Sequence, residues 1–338
     1  MSFSEVPIID IEPFLLGDPA AQQSVARQVD EALRTIGFMS IVGHGVSESF
    51  IEQTREAALE FFALGLPEKM EIANPPEHMS RGYNWLGNRS LAYTLGEETP
   101  PDLQEGFAFG PFGFEHDPYY TRAEAASFFA PNIWPERPTN FRSIFEDYYS
   151  RMSVLAEKIM GLFAIALDLP EFYFSEKIDK PTSVIRILHY PAQEQVPLEG
   201  QLRAGAHTDY GTVTILYGED TPGGLQVRLR NGVWVDVHPA PGSLVCNIGD
   251  LMARWTNDRW ISNLHRVANP ASEYATASRI AIPFFHNTNY DALIECIPSC
   301  RDRDGTAKYP PVLFSDLYLE KQTRAERKPS LTVRKLEG

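Results

Sequence analysis

The sequence predicts an α+β chain, mainly β, in which flanking helices surround a β-sandwich or jelly roll. From Ser183 onward, short apolar alternating runs follow one another with turn signals between them. Ahead of them, Pro138 to about Leu167 carries apolar residues at helical spacing, as a helix covering one face of a sheet would. Asn231-Gly232, between Arg230 and Val233, marks a tight hairpin inside the strand-rich part.

Val6 to Phe14 reads as a short strand and a turn. A helix is expected over Ser24 to Thr35, where Val25, Val29, Ala32 and Leu33 share a face. A strand over Gly37 to Val42 is closed by Gly43-His44-Gly45. A second helix from Ser47 to about Leu64 buries Ile51, Ala58, Phe61 and Phe62, and Pro67 ends it. Residues 74–135 are rich in Pro, Gly and aromatics and lack periodicity, so a lid or substrate wall is expected there. The predicted strands are Val184–Leu188, Thr212–Tyr217, Leu225–Leu229, Val233–Val237, Ser243–Ile248 and Arg279–Phe285. Trp255 and Trp260 read as packing around a turn, and Pro311 to Ala325 reads as helix. The chain divides into a mixed N-terminal region with its lid-like segment (1–135), a jelly-roll core with its supporting helix (136–300) and a helical tail (301–338).

Composition narrows the function classes. Among 338 residues, 45 acids against 30 bases leave a net charge of −15, a surface that repels nucleic acid and anionic membranes. The three cysteines, Cys246, Cys296 and Cys300, form no disulfide framework. Cys296 and Cys300 lack the second pair a zinc site needs, so buried thiols are expected. Neither a secretory signal nor a membrane-length apolar run is present, and the cytoplasm is the expected location.

The candidate chemistry lies in His207-Thr208-Asp209 and in His265 of Asn263-Leu264-His265-Arg266-Val267. Residues i and i+2 of a strand share a face, so His207 and Asp209 project together, and a jelly roll brings a distant strand alongside. Two imidazoles and one carboxylate on one face of an octahedral first-row metal leave three adjacent positions open, as oxygen activation by Fe(II) requires. Zinc accepts the same ligands, although catalytic zinc favours three histidines or two with a glutamate. Arg279 opens an apolar strand, and no acid follows it locally. A buried guanidinium needs a partner. Either a ligand carboxylate or a distant structural acid supplies it.

Taken together, these motifs resemble the isopenicillin N synthase-like branch of the iron(II)/2-oxoglutarate-dependent oxygenases. The matching residues are Pro7-Ile8-Ile9-Asp10, Gly37-Phe38, Gly43-His44-Gly45-Val46, Arg81-Gly82-Tyr83, Tyr190-Pro191 and His207-Thr208-Asp209. Gly224-Leu225-Gln226-Val227, Pro241-Gly242-Ser243, Asn247-Ile248-Gly249-Asp250, Thr256-Asn257, His265-Arg266-Val267 and Arg279 with Phe284-Phe285 follow in the same order. The resemblance spans nearly the whole chain and does not specify a substrate.

It implies a distorted double-stranded β-helix with flanking N-terminal and C-terminal helices. It further implies Fe(II) on His207, Asp209 and His265, and 2-oxoglutarate gripped by Arg279 with help from Tyr190, with Asn247 near its inner end. Ala281 departs from the family's Arg-x-Ser, a loss of one hydrogen bond worth about 1 kcal/mol. The implied reaction consumes O2 and 2-oxoglutarate, releases succinate and CO2, and hydroxylates, desaturates or cyclises a small organic substrate at an unactivated C–H bond. Tyr83, Trp85, Phe107, Phe109, His189, Phe285 and His286 are the expected pocket lining. A monomer or homodimer is expected. The competing readings are an oxidase that dispenses with 2-oxoglutarate, which Ala281 favours, a non-catalytic binding protein on the same fold, and a zinc hydrolase, for which no glutamate adjoins either histidine motif.

Overall fold

A computed structural model describes residues 5–75, 81–114, 117–193 and 195–326. The first half contributes β1 (Ile8–Asp10), α1 (Glu12–Leu15), α2 (Pro19–Thr35), β2 (Phe38–Val42), α3 (Glu48–Phe62), α4 (Leu66–Met70), β3 (Gly82–Asn84), β4 (Glu105–Phe109) and α5 (Phe141–Ala166). The second contributes α6 (Ser175–Ile178), β5 (Val184–Tyr190), β6 (Ala204–His207), β7 (Val213–Gly218), β8 (Leu225–Arg228), β9 (Trp234–Asp236) and β10 (Leu244–Ile248). It closes with α7 (Asp250–Trp255), β11 (His265–Val267), β12 (Arg279–His286), β13 (Leu293–Ile294), β14 (Val312–Leu313) and α8 (Phe314–Glu326).

Local sequence explains the helix starts. Asp18 caps α2 by accepting from the Ala20 amide, with Pro19 in the first turn, and Ser47 caps α3 by accepting from the Phe50 amide. Helix α5 buries Phe141, Ile144, Phe145, Tyr148, Met152, Leu155 and Ile159 along one face. It lies on the outer side of the larger sheet, against β12 and β7, with α2 and α3 beside it. The Asn231-Gly232 hairpin joins β8 to β9 as expected, with Gly232 at φ +86°.

The larger sheet has eight strands in the order β1-β2-β10-β7-β12-β5-β4-β3. The smaller has four, β6-β11-β8-β9. The segment expected as lid or wall instead carries β3 and β4, which extend the larger sheet beyond β5. Every residue of β4 is buried, so its sequence shows no alternation from which a strand would be inferred. Residues 76–80 and 115–116 of that segment, and 327–338 of the expected tail, lie outside the described residues.

Two apolar clusters join the sheets: Phe38 and Val245 with Leu225 and Val227, and Tyr190 and Ala281 with Ala204 and Val267. The main core lies on the other side, between the larger sheet and its helices. Each strand of the larger sheet therefore has two faces with different roles. Along β12, Ile280, Ile282 and Phe284 enter the helical core while Ala281 faces the smaller sheet. Along β5, Ile185 and Ile187 enter that core while Leu188 and Tyr190 face inward.

Candidate metal and cosubstrate site

Strand pairing brings His207 and His265 together. They are directly opposite each other across β6 and β11, with ring centroids 4.3 Å apart. Asp209 lies just beyond the end of β6. The ligand-capable atoms of His207, Asp209 and His265 all lie within 4.8 Å of one another. Phe38 packs edge-on against His265 at 5.3 Å.

The donor set fits a divalent cation. The His207 Nδ1–H donates to the Gly205 carbonyl at 2.8 Å, and the His265 Nδ1–H donates to the Asn263 carbonyl at 3.1 Å. A carbonyl only accepts, so both Nε2 atoms keep a lone pair for a metal. Asp209 Oδ2 accepts from the Thr214 hydroxyl at 2.6 Å and from the Asn247 amide at 2.7 Å. Its Oδ1 lies 3.7 Å from His265 Nε2. Burial, then the neighbouring His265, holds His207 well below the ordinary histidine range and hence neutral. Burial alone would raise the Asp209 pKa, but the two imidazoles, Thr214 and Asn247 outweigh it and keep the carboxylate ionised.

Helices α7 and α8 brace the ligand loop. The Asp250 amide donates to the Asp209 carbonyl, and the Leu251 amide donates to the Tyr210 carbonyl. Lys321 of α8 donates to the carbonyls of Thr208 and Asp209 at 3.1 and 3.2 Å and pairs with Asp250.

Arg279 is 2% exposed and stands opposite Tyr190 across β12 and β5. Its guanidinium carbon is 5.4 Å from the Tyr190 ring centroid, and Nε donates to the Glu219 carbonyl. Among the described residues it forms no direct ion pair, and Glu219 is the distant acid whose charge acts on it. Glu219 pairs instead with Arg55 and accepts from the Ile280 amide. Burial lowers the Arg279 pKa, and Tyr190 and Glu219 oppose that. Ala281, two residues on, sits in the inner apolar cluster with Tyr190.

The expected pocket lining divides by strand face. Phe285 faces inward, 5.9 Å from the Arg186 guanidinium, and Trp85 lines the cleft between β3 and β5. Tyr83, Phe109, His189 and His286 occupy the opposite face, and their expected role in the pocket is corrected; Phe107 turns its ring to that face but also borders the cleft that Trp85 lines. Phe107 packs with Phe61, Trp134 and Phe141, and Phe109 with Trp134, Phe145 and Tyr149. Tyr83 and His189 both bond Glu105, which Lys69 neutralises, and His189 stacks on Phe62. His286 meets the Thr212 hydroxyl at 2.7 Å. A one-residue step along a strand reverses the face, and the side-chain direction in these short strands is set by pairing partners distant in sequence. Asn247 contacts the Asp209 carboxylate.

A wide surface cleft lies elsewhere, between α2 and the end of α5. Within it Asp30 is bonded to Arg34, Arg259 and Trp260, and no chemistry is assigned to it.

The comparisons agree with this site. Residues 6–137 match the non-haem dioxygenase in morphine synthesis N-terminal family, and residues 181–288 match the 2OG-Fe(II) oxygenase superfamily. The 2-oxoglutarate-Fe(II) type oxidoreductase hxnY of Emericella nidulans is 36% identical over 95% of this chain and 91% of its own. The chain belongs to the 2OG-Fe(II) oxygenase superfamily. Another relative, the homoarginine-6-hydroxylase 2-ODD-233 of Oryza sativa, is 33% identical over 94% of this chain and 97% of its own. The crystal structure of a full-length Neurospora crassa protein in complex with alpha-KG and thymine superposes with a TM-score of 0.82 at 28% identity, covering 94% of this chain and 96% of that one. The chain is thus an iron(II)- and 2-oxoglutarate-dependent dioxygenase with the double-stranded β-helix fold, acting on a small molecule. Among the described residues, no helix is long and apolar enough to cross a membrane.

Thr214, Lys321, Arg186 and Arg89 escaped the sequence reading. Arg186 had a usable signal: it lies two steps of i+2 before Tyr190 and so shares its inward face.

Proposed function

We propose that this oxygenase hydroxylates a small organic substrate using iron held by His207, Asp209 and His265 and 2-oxoglutarate anchored by Arg279. The convergence of two Nε2 lone pairs and one ionised carboxylate carries this reading. When bound, iron with 2-oxoglutarate supplies oxidation of an unactivated C–H bond by O2, with release of succinate and CO2. The protein's own share is positional. Thr214 and Asn247 aim Asp209, the carbonyls of Gly205 and Asn263 fix the two imidazole tautomers, and Arg279 presents its guanidinium to the distal carboxylate. Tyr190 lies beside that guanidinium; burial pushes its phenol up to about 12, so it stays protonated and able to donate. Phe38 and the inner apolar clusters limit water at the site.

The named relatives and neighbours range from a homoarginine hydroxylase to a protein crystallised with thymine. A cytoplasmic monomer or homodimer that avoids nucleic acid completes the reading, supported by the net charge of −15. The test is anaerobic titration with Fe(II) and 2-oxoglutarate, followed by succinate analysis in air. Asp209→Ala should abolish succinate formation. Arg279→Gln should raise the KM for 2-oxoglutarate by roughly 10- to 100-fold while leaving Fe(II) affinity intact. Unchanged cosubstrate affinity in the Arg279 variant, or turnover in the Asp209 variant, overturns the assignments.

A further inference from the structure

The carboxylate of Asp250 touches both halves of the metal-binding arrangement. Its Oδ2 accepts from the hydroxyl of Thr208, the residue between the ligands His207 and Asp209, at 3.2 Å. Its Oδ1 accepts from the Ser262 hydroxyl at 2.6 Å. Ser262 precedes Asn263, whose carbonyl fixes the His265 ring. One side chain thus ties the segment that follows β6 to the segment that leads into β11.

The backbone around Asp250 makes the same junction. The amides of Gly249, Asp250 and Leu251 donate to the carbonyls of Thr212, Asp209 and Tyr210. The approach is so close that a Cβ on Gly249 would lie 2.4 Å from the Gly211 carbonyl oxygen, which only glycine avoids. Helix α7 therefore begins pressed against the ligand loop.

Lys321 completes the junction from α8. Its Nζ lies 3.0 Å from the Thr208 hydroxyl, 3.1 and 3.2 Å from the carbonyls of Thr208 and Asp209, and against Asp250 Oδ2. The same ammonium stands 4.2 Å from the Tyr210 ring centroid. Lys321 reaches this place because Phe314, Tyr318 and Lys321 recur at i, i+4 and i+7 on one face of α8. Phe314 and Tyr318 pack on Phe128, and Tyr318 also meets Tyr210 at 5.5 Å.

Exposure separates two roles for the ion pair. The Asp250 side chain is 37% exposed and that of Lys321 17%. Charges this open to solvent attract weakly, so the pair adds little to global stability. Its geometry is more specific. An ammonium can only donate, and its acceptors here belong to Thr208, Asp209 and Asp250. The aromatic face holds α8 to the body of the protein, whereas Lys321 engages one backbone arrangement of the ligand turn. A metal on His207 and Asp209 selects an arrangement of the same turn. Two binding events that favour one arrangement strengthen each other.

We propose that Lys321 and Asp250 are a positioning pair for the metal centre, through which docking of α8 and binding of the divalent metal favour each other. The assignment rests on the metal-site reading above and adds to it the C-terminal helix as a contributor. Neither residue is a ligand. Lys321 acts through the backbone of Thr208 and Asp209, and Asp250 through that backbone and Ser262.

The experiment uses the full chain in the absence of oxygen, with Fe(II) and, as a probe, Mn(II). Isothermal titration gives the affinities. Lys321→Met keeps much of the stem and removes the donors. Both metals should bind it roughly tenfold more weakly, the lower end of what loss of a ligand's supporting partner costs. The denaturant midpoint of the metal-free protein should stay nearly unchanged. Asp250→Asn should weaken binding to a similar degree. The double variant should bind no more weakly than the poorer single variant, because the two residues act as one. The reciprocal measurement is hydrogen exchange of the α8 amides. Mn(II) should slow it in the wild type by roughly the same tenfold factor and leave it unchanged in Lys321→Met. Wild-type affinity in Lys321→Met, additive losses in the double variant, or α8 exchange that ignores the metal in the wild type overturns the proposal. The wild-type exchange and Asp250→Asn decide the matter even where Lys321→Met fails to fold. A wild-type protein that binds neither metal removes the metal-site reading as well; one that binds both, while Lys321→Met binds them equally, removes only the positioning pair.

Discussion

The side-chain amide of Asn247 donates to Asp209 Oδ2 at 2.7 Å, across from β10 to the loop that follows β6. The Thr214 hydroxyl reaches the same oxygen at 2.6 Å. With Oδ2 occupied twice, Oδ1 is the atom left to face the histidines. Partners of this kind orient a metal-binding carboxylate, and their removal typically weakens metal binding by about 10- to 100-fold. Thr214→Val keeps the shape and deletes the donor, so Fe(II) affinity should fall within that range while the unfolding midpoint changes little. Isothermal titration under anaerobic conditions reads the affinity directly; an unchanged value means that the loop backbone alone aims Asp209.

Gly218 explains how Arg279 lies flat beside its neighbour strand. A Cβ at position 218 would sit 2.6 Å from Arg279 Nη2, closer than such atoms approach. Gly218→Ala should therefore displace the guanidinium without touching the metal ligands. The expected result is a rise of roughly tenfold in the KM for 2-oxoglutarate, about one charge-assisted hydrogen bond, with Fe(II) affinity retained. A variant with unchanged KM shows that the guanidinium has another place from which to hold the cosubstrate.

Phe107 looks like a pocket aromatic in the sequence and is a core aromatic in the fold. Its ring lies 5.4 Å from Phe61 and 5.2 Å from Phe141, on the helical side of β4. Phe107→Ala should cost about 3–5 kcal/mol of stability, read as a lower denaturant midpoint. The KM values of the folded enzyme should stay near those of the wild type. Phe107 also borders the cleft beside Trp85, so a large change in substrate KM at unaltered stability shows that its ring matters there and not only in the core.

Phe107 also shows where sequence legibility ended. His207, Asp209, His265 and Arg279 were legible because their types and order carry the chemistry, and the long amphipathic α5 because its period spans many turns. Strands β3 and β4 were not legible. The first has three residues, and the second is buried on both faces, so neither shows a period of two. Without the strand there is no face, and without the face Phe107 and Arg186 cannot be sorted into core and cleft. Lys321 was hidden for a different reason: its partners Thr208 and Asp250 become neighbours only when α8 docks.

His286 carries a pH signature of that same core face. Burial pulls its imidazole from 6.5 down to about 4, so it stays neutral in the folded protein where the unfolded chain already takes up a proton. Between those values the unfolded state binds more protons, and stability falls as pH falls from about 6.5 towards about 4. From pH 7 to pH 5 the loss attributable to this group is about 2 kcal/mol. His44, also lowered by burial, acts in the same direction, so the decisive quantity is the difference between wild type and His286→Gln. Denaturant unfolding at pH 7 and pH 5 should give a wild-type decline steeper than the variant's by about that amount. Parallel declines mean that His286 is protonated in the folded state, with Thr212 and its surroundings accommodating the charge.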